Sequence, residues 1–283
     1  MPKHSSTKIA QLCHDALIAE VELTPKPGLV DRNNNGAHRD MTRALFHKSA
    51  DALLPYFRLV AEAGAKSAAQ IQADAFLRMR PLGVEAERAM FLATGGVNTH
   101  KGAIFSMGLL AAACGRINAN GEALTAPRIL RTAAGYVRGL CAKELAAANT
   151  PHTKGEHAYA ASGALGARGE AEAGFPSIQT IALPALSLAL KNGHSKETAL
   201  LVALLALLAN VDDTNMISRA SVSAARAVRT SALALNEKGP AIASPQWYAA
   251  IRALDDELIH KNLSPGGCAD LLACTCFVYD VTH

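Results

Sequence analysis

Apolar residues recur at intervals of three and four along most of this chain, the spacing that places them on one face of an α-helix. Runs of β-branched residues, which are typical of strands, are sparse. The pattern therefore predicts a mainly helical protein. The predicted helices cover residues 6–22, 40–63, 68–79, 81–93, 99–116, 126–147, 172–192, 195–209, 213–235, 245–260 and 266–280.

The most apolar run covers residues 199–209 and lies between Glu197 and Asp212. A membrane-spanning helix takes about 20 apolar residues, so this run is too short and is interpreted as a central core helix. No other stretch is expected to supply roughly 18 uncharged apolar residues, and the N-terminus lacks the pattern of a secretory signal. We therefore expect a cytoplasmic protein that does not enter a membrane.

Composition and charge narrow the picture further. Half of the 283 residues are apolar, and no linker or repeat divides the chain, so we expect one all-α domain over residues 1–283. The formal net charge is only +4 and the basic residues are scattered, which argues against nucleic acid and favours a small anionic ligand. The six cysteines lack a CxxC pair, so neither a disulfide framework nor a zinc site is expected. The sequence leaves open whether the chain forms a homo-oligomer.

Five connections between the predicted helices mix glycine or proline with charged and amide residues. Most connections in helical bundles are short and lack such a concentration of polar residues. They cover residues 23–41, 95–102, 166–176, 210–219 and 262–270. Glycine and proline fix unusual backbone geometry, and the polar side chains can hold a polar ligand. We expect the functional site in these segments.

The segment GGVNTHKG predicts a phosphate-binding site at the start of a helix. Asn98 or Thr99 can cap the next helix, whose first N–H groups and positive dipole end lie beside His100 and Lys101. The alternative interpretation is an ordinary capped helix with a solvated lysine.

The segment NLSPGGCAD repeats this arrangement. Ser264 is the predicted N-cap and Pro265 the first helical residue, followed by Gly266 and Gly267 as further candidates for ligand binding. A second helix start rich in glycine suggests a second anion site.

Adjacent carboxylates close the most apolar helix. Asp212 and Asp213 would leave the core side by side, near Asn215 and Arg219, and adjacent buried carboxylates are costly unless a cation neutralises them. An oxygen-rich set of this kind suits Mg²⁺, so both aspartates are candidate metal ligands and Asp213 is also a catalytic candidate. Helix-capping aspartates in water are the alternative.

Two further stretches offer acid, base and phosphate-binding groups. Residues 166–176 supply Arg168, Glu170 and Glu172; the sequence leaves open whether they share one face of an extended segment or diverge on a helix. Residues 23–41 supply four more candidates, His38 as a catalytic group and Lys26, Asp31 and Arg32 as substrate-binding groups.

Taken in order, the segments TPKPGLVDR, GAHRDM, GVNTHKGAIFSMG, GARGEAEAGFP, DDTN and NLSPGGCADLL resemble the triphosphoribosyl-dephospho-CoA synthase family from end to end. The resemblance implies a helical transferase whose substrates are ATP and dephospho-CoA. In the reaction that the resemblance implies, the ribose 2′-hydroxyl of dephospho-CoA attacks the anomeric carbon of ATP and adenine leaves. The product is the precursor of the prosthetic group of citrate lyase and of malonate decarboxylase, and the sequence does not choose between the two. After DDTN the family has Arg-Gly-Gly, where this chain has Arg219-Ala220-Ser221.

Two other functions compete with this interpretation. A magnesium-dependent nucleoside or ADP-ribosyl glycohydrolase would use similar helices and aspartates but pass the ribosyl group to water. A helical scaffold for a carrier or lyase subunit would instead need a contiguous exposed apolar face, which the polar loops do not suggest.

Overall fold

The computed structural model describes residues 4–141, 166–219, 221–239 and 241–283, and within them it contains helices and no β-strand. The expectation of an all-α fold is confirmed. The α-helices are α1 (Ser6–Glu22), α2 (Arg43–Lys66), α3 (Gln72–Thr94), α4 (Lys101–Ala119), α5 (Ala126–Tyr136), α6 (Gly166–Glu172), α7 (Leu183–Lys191), α8 (Lys196–Asn210), α9 (Thr214–Arg219), α10 (Val222–Lys238), α11 (Pro245–His260) and α12 (Gly266–Thr282), with a π-helical turn at Ile178–Ala182 before α7.

Helix α4 runs through the centre of the protein and packs against α1, α2, α5 and α12. It is long and apolar enough to cross a membrane, which corrects the expectation that no such stretch exists. However, 78% of its most apolar window is buried inside the protein, and mostly buried apolar helices are typical of the core of a soluble fold.

The contact between α2 and α4 is unusually close because two glycines face the opposite backbone. A Cβ atom on Gly64 would lie 2.1 Å from the carbonyl oxygen of Ala112, and one on Gly115 would lie 2.0 Å from that of Ala61. Any larger residue would push the helices apart, so these glycines set the position of α4 and of the loop that precedes it.

A second, smaller apolar cluster lies beside the main core. It joins Met216 and Ile217 of α9 to Val228 of α10, Leu258 of α11 and the following Leu263. The predicted apolar helix, now α8, belongs to the main core and packs against α7, α10 and α12. Its deeply buried leucines confirm the interpretation as a core helix.

Several predicted boundaries were wrong. Residues 68–79 and 81–93 form the single helix α3, which continues through Pro81. Proline removes the hydrogen bond to the carbonyl four residues earlier, here that of Leu77. Leu77 is 64% exposed, so water can replace that bond and the helix is not interrupted.

The region after residue 166 is more broken than its apolar pattern indicates. The predicted helix over 172–192 instead contains the last residue of α6, a turn at Gly174 and Phe175, the π-helical turn and α7. Phe175 has a φ of 54°, a left-handed value that ends α6. The predicted helix over 213–235 is split into α9 and α10. Of the one over 126–147, α5 forms its first part and residues 142–147 lie outside the described residues.

Candidate active site

A cavity of about 860 Å³ opens where the starts of α4, α9 and α12 meet α6 and the loop between α1 and α2. Helix N-termini carry unpaired N–H groups and a partial positive charge. The convergence of these helix starts therefore builds an environment that suits an anionic ligand.

Asp213 joins two of these helix starts. Its Oδ1 accepts the backbone N–H groups of Asn215 and Met216 in α9, and its Oδ2 accepts that of Cys268 in α12 at 2.8 Å. Burial raises the pKa of Asp213, against the lowering effect of these hydrogen bonds. Gly267 makes the approach feasible, because a Cβ atom there would lie 2.9 Å from Oδ2.

Asp270 accepts a backbone N–H group at the start of α4, as Asp213 does at α9 and α12. Its carboxylate accepts the backbone N–H of Ala103, and a Cβ atom on Gly102 would lie 2.0 Å from its Oδ2. Desolvation raises the pKa of Asp270 well above its ordinary value, and the negative charges of Glu20 and Asp213 raise it further. The cavity therefore contains converging carboxylates as well as helix starts.

Glu20 and Lys26 form a buried ion pair on the same wall. Their side chains are 6% and 1% exposed, so neither charge is screened by water. Burial raises the pKa of Glu20, and the adjacent Lys26 ammonium group opposes that shift.

His38 connects the loop between α1 and α2 to α9 and α12. Its Nε2 lies 2.8 Å from Oγ of Ser264, and Arg219 donates from Nη2 to its Nδ1 at 3.1 Å. A guanidinium group only donates hydrogen bonds, so Nδ1 accepts and Nε2 carries the proton toward Ser264. Arg219 also donates to the carbonyl of Ala37. This arrangement orients the imidazole, and the catalytic role of His38 stays a prediction.

His100 is buried beside Lys26 and takes no positive charge at neutral pH. Burial, and then the charge of Lys26, lower its pKa to about 3. Its Nδ1 lies 2.7 Å from Oγ of Ser49, and the ring meets that of Phe46 edge-on at 5.0 Å. Within the described residues its buried Nε2 has no hydrogen-bond partner. His100 is therefore a neutral polar group rather than a cationic phosphate ligand.

The remaining wall carries groups that are partly open to solvent. Lys101 Nζ lies 2.9 Å from Oε2 of Glu87, and both side chains are partly exposed. Glu170 in α6 accepts hydrogen bonds from the hydroxyl group and the backbone N–H of Ser177. Burial raises the pKa of Glu170, against those hydrogen bonds. Arg168 lies two residues earlier on the same helix and also lines the cavity.

The comparison with known protein families decides between the interpretations of this cavity. The model of the ATP:dephospho-CoA triphosphoribosyl transferase family matches residues 6–283. The chain belongs to this family. It is thus an enzyme of the transferase class, as the resemblance in its motifs implied, and the glycohydrolase alternative is not supported.

Individual relatives agree with this assignment. The chain is 44% identical over 277 residues to a protein of Pectobacterium atrosepticum named 2-(5''-triphosphoribosyl)-3'-dephosphocoenzyme-A synthase, covering 98% of this chain and 90% of the relative. It is also 44% identical over 277 residues to a Vibrio cholerae protein with the same name, marked as probable, covering 97% of this chain and 88% of that relative. No solved structure matches the chain.

In this member of the transferase family, the cavity brings together most of the residues predicted from sequence. They are Lys26, His38, Asn98, His100, Lys101, Arg168, Glu170, Asp212, Asp213, Asn215, Arg219, Ser264, Gly266 and Gly267. These residues come from all five polar connections, so the prediction that these segments share one site is consistent with the fold. Their individual roles stay predictions.

Three predicted residues lie elsewhere. Asp31 is buried within its own loop, where it accepts hydrogen bonds from Thr24 and from backbone N–H groups. Arg32 forms an ion pair with Glu197. Glu172 accepts the N–H groups of residues 139 and 141, and its hydrogen bond with Cys141 is the main cause of its lowered pKa. Each of these side chains supports the fold around the cavity instead of lining it.

Other details of the predicted site also need correction. The carboxylates of Asp212 and Asp213 diverge, since Asp212 points outward to an ion pair with Arg229. Ser264 is not the cap of α12, which begins after Pro265 without a side-chain cap. By contrast Asn98 does accept the backbone N–H of Lys101.

The segment Arg219-Ala220-Ser221 stands where the family has Arg-Gly-Gly. Ala220 lies outside the described residues. Ser221 accepts the N–H of Ala224 and caps α10. The serine that replaces the second family glycine therefore stabilises the start of α10.

Sequence reasoning missed Glu20 and Asp270. Both carried a detectable signal, because each is an acidic residue on an otherwise buried helix face. Glu20 follows Cys13, Ala16 and Leu17 at helical spacing on the buried side of α1, and Asp270 lies within the almost wholly buried α12. A carboxylate on such a face is rarely tolerated without a partner or a function.

Lys101 gives a test of the cavity rim. Replacing it with alanine should raise the apparent KM for one nucleotide substrate about three- to tenfold, because one charge near the α4 start is lost. Steady-state kinetics with each substrate varied in turn would measure this, with the exposed Lys48→Ala variant as control. Unchanged KM values for both ATP and dephospho-CoA would remove Lys101 from the site.

Proposed function

We propose that this transferase joins ATP to dephospho-CoA. The 2′-hydroxyl of dephospho-CoA attacks the anomeric carbon of ATP, the bond from ribose to adenine breaks, and the triphosphate remains on the transferred ribosyl group. The observation that carries the proposal is the convergence of helix starts with basic side chains and buried carboxylates in one cavity. Such a site suits a polyphosphate that is held and not cleaved.

We assign the triphosphate of ATP to the helix N-termini that meet in the cavity, above all that of α12. The first N–H groups of a helix have no intrahelical acceptor. In α12 Asp213 takes the third of these groups, and the amides of Gly266 and Gly267 precede it. Arg168, Arg219 and Lys101 line the same cavity and supply positive charge.

Carboxylates support the chemical step. A ribosyl transition state carries developing positive charge, which a fixed carboxylate stabilises. Asp270 is held by the α4 amide and lines the cavity; we assign it this role in its ionised form, which the positive charge of the transition state favours against the effect of burial on its pKa. Glu170 is assigned as the general base for the attacking hydroxyl, since burial raises its pKa toward the range in which a carboxylate accepts a proton effectively.

Magnesium is proposed as the companion of the triphosphate. In the part of the chain that the structure describes, no three His, Cys, Asp or Glu side chains are arranged to hold a metal ion alone. Magnesium does not require such a cage, because it takes one or two carboxylates together with substrate phosphates. The Asp213 carboxylate offers about four lone-pair sites, and three backbone N–H groups occupy part of them. Bound there, the ion would neutralise phosphate charge.

The motifs also suggest where the protein acts and what its product is used for. We propose that the protein acts in the cytoplasm and that its product becomes the prosthetic group of citrate lyase or malonate decarboxylase. Both uses need the same compound, so the cavity does not choose between them.

The reaction is testable by product analysis. Incubation with ATP, dephospho-CoA and magnesium should yield adenine and triphosphoribosyl-dephospho-CoA in equal amounts, without pyrophosphate, because only the bond to the base is broken. Mass spectrometry and chromatography measure both products. A reaction lacking dephospho-CoA is the control. Adenine release at the same rate in that control would indicate a glycohydrolase, and pyrophosphate without ribosylated coenzyme would overturn the proposal.

A further inference from the structure

A second cavity of about 220 Å³ lies beside the first, between α2, α3 and α4. Its wall is mainly apolar and includes Tyr56, Val60, Phe76, Met79, Phe105 and Leu109. Glu87, Phe105 and Arg168 line both cavities. We call this second cavity the apolar annex. It adjoins the polar site, and the three shared residues stand between the two cavities.

The annex differs from an ordinary packing defect in two ways. A void of about 150 Å³ is enough to admit benzene, so the annex is larger than a single small ring requires. Phe76 and Phe105 around it are only partly buried, and Val84 is 45% exposed. Apolar side chains that stay partly open around a cavity are typical of a ligand-binding surface.

The chemistry of the wall limits the occupant. Tyr56 uses its hydroxyl proton on the carbonyl oxygen of Ile104 at 3.0 Å. Gly108 holds the phenol there, because a Cβ atom on it would lie 2.1 Å from the Tyr56 oxygen. The interior therefore offers a ligand mostly carbon and sulfur surface. Arg80, Glu87 and Arg168 also line the annex, so a few polar groups of a ligand can find partners there while its hydrocarbon parts meet the apolar wall.

We propose that the apolar annex binds the pantetheine arm of dephospho-CoA. This inference rests on the proposed function, which supplies the substrate. Dephospho-CoA is an adenosine diphosphate extended by a chain with a gem-dimethyl group, a hydroxyl group, two amides and a terminal thiol. The polar cavity takes the phosphates, and the less polar arm extends past Phe105 into the annex, where its thiol end meets Met79 and Val60. The annex thereby selects dephospho-CoA over nucleotides that lack the arm.

Gly83 allows the annex to be filled without a backbone clash. A Cβ atom on Gly83 would meet only the Tyr56 oxygen, at 3.9 Å, so a larger side chain grows into the annex. Leucine is also a better helix former than glycine, so Gly83→Leu should keep α3 intact. The exposed Ala73 lies on the same helix, and Ala73→Leu adds comparable bulk outside the annex.

The test compares two acceptors at saturating ATP, dephospho-CoA and ADP, which lacks the arm. In the wild type kcat/KM should favour dephospho-CoA by about 100-fold or more, and Gly83→Leu should reduce that preference by about tenfold or more. If ADP is not turned over, its inhibition constant against dephospho-CoA replaces kcat/KM. Ala73→Leu should retain the wild-type preference. A preference retained in Gly83→Leu overturns the proposal, and so does a rise in KM for ATP in its place, which would put ATP in the annex.

A second measurement needs no variant. Pantetheine alone should inhibit the wild-type enzyme competitively against dephospho-CoA and not against ATP. Absence of inhibition at concentrations well above the KM for dephospho-CoA would count against the annex as the binding site of the arm. Adenine release by the wild type with both substrates tests the proposed function separately, so the two proposals fail in distinguishable ways.

Discussion

Replacing Lys26 with methionine should lower the free energy of unfolding at pH 7 by about 3–5 kcal/mol, because Glu20 is then left buried without its partner. The wild-type pair is almost completely enclosed, with side chains 1% and 6% exposed. Methionine keeps much of the volume of the lysine stem, so the loss reports on charge more than on packing. Denaturant unfolding followed by circular dichroism measures it.

The same variant should show a characteristic pH dependence. Burial raises the pKa of Glu20, and Lys26 is the group that opposes this shift. Without Lys26 the folded protein binds a proton at Glu20 more tightly than the unfolded chain, so stability increases as the pH falls through the raised pKa. The deficit relative to wild type should therefore be smaller at pH 5 than at pH 8.

The surface pair of Lys261 and Glu257 supplies the control. Both side chains are more than one-third exposed, and Lys261→Met should cost less than about 1 kcal/mol with little change across this pH range. An equal loss in the Lys26 and Lys261 variants would show that Glu20 is not held as a buried charge.

The second large effect is expected at Asp213. Changing it to asparagine places an NH₂ group opposite one of the N–H groups that the carboxylate now accepts. An unsatisfied buried donor costs about 1–3 kcal/mol. The larger consequence is functional, because α9 and α12 lose their shared acceptor, and a displacement of about 1 Å in an active site can reduce the rate about 100-fold. Unfolding and adenine-release measurements on the same preparation separate the two effects.

Asp212→Asn is the matched neighbour, since it breaks only the partly exposed ion pair with Arg229 and should cost less than about 1 kcal/mol in stability. The magnesium dependence of turnover then distinguishes the roles. A raised magnesium requirement in the Asp213 variant alone supports Asp213 as the metal contact, whereas the same change in the Asp212 variant assigns it to Asp212. If the Asp213 variant kept full turnover and the same magnesium dependence, Asp213 would be neither the magnesium contact nor a catalytically important residue.

Long amphipathic helices were predictable from sequence because their apolar spacing is set locally. The start of α1, capped by Ser5, and the start of α11, capped by Ser244 with Pro245 next, follow known capping chemistry. The continuity of α3 was not predictable, since it depends on Pro81 facing solvent. The break near Phe175 depends on a left-handed backbone at a residue type that rarely adopts it.

The site was predictable in its segments but not in its pairings. Glycine and proline marked the loops, yet the partners that decide a role are distant in sequence. Asp213 meets Cys268, and His38 meets Ser264 and Arg219. Composition cannot distinguish a carboxylate that binds metal from one that accepts three backbone amides. Only the packed arrangement separates Asp212 from Asp213.

The packing of α12 against α1 and α4 has a consequence for biosynthesis. A nascent chain that has been translated only to residue 260 already contains α4, α6 and most of the cationic residues of the cavity, but it lacks the wall formed by Ser264, Gly266, Gly267 and Asp270. Until that wall emerges from the ribosome, α4 lacks the carboxylate that accepts its Ala103 amide. We therefore expect nucleotide binding to require the segment from Ser264 through α12, so that a chain lacking it should not acquire the site.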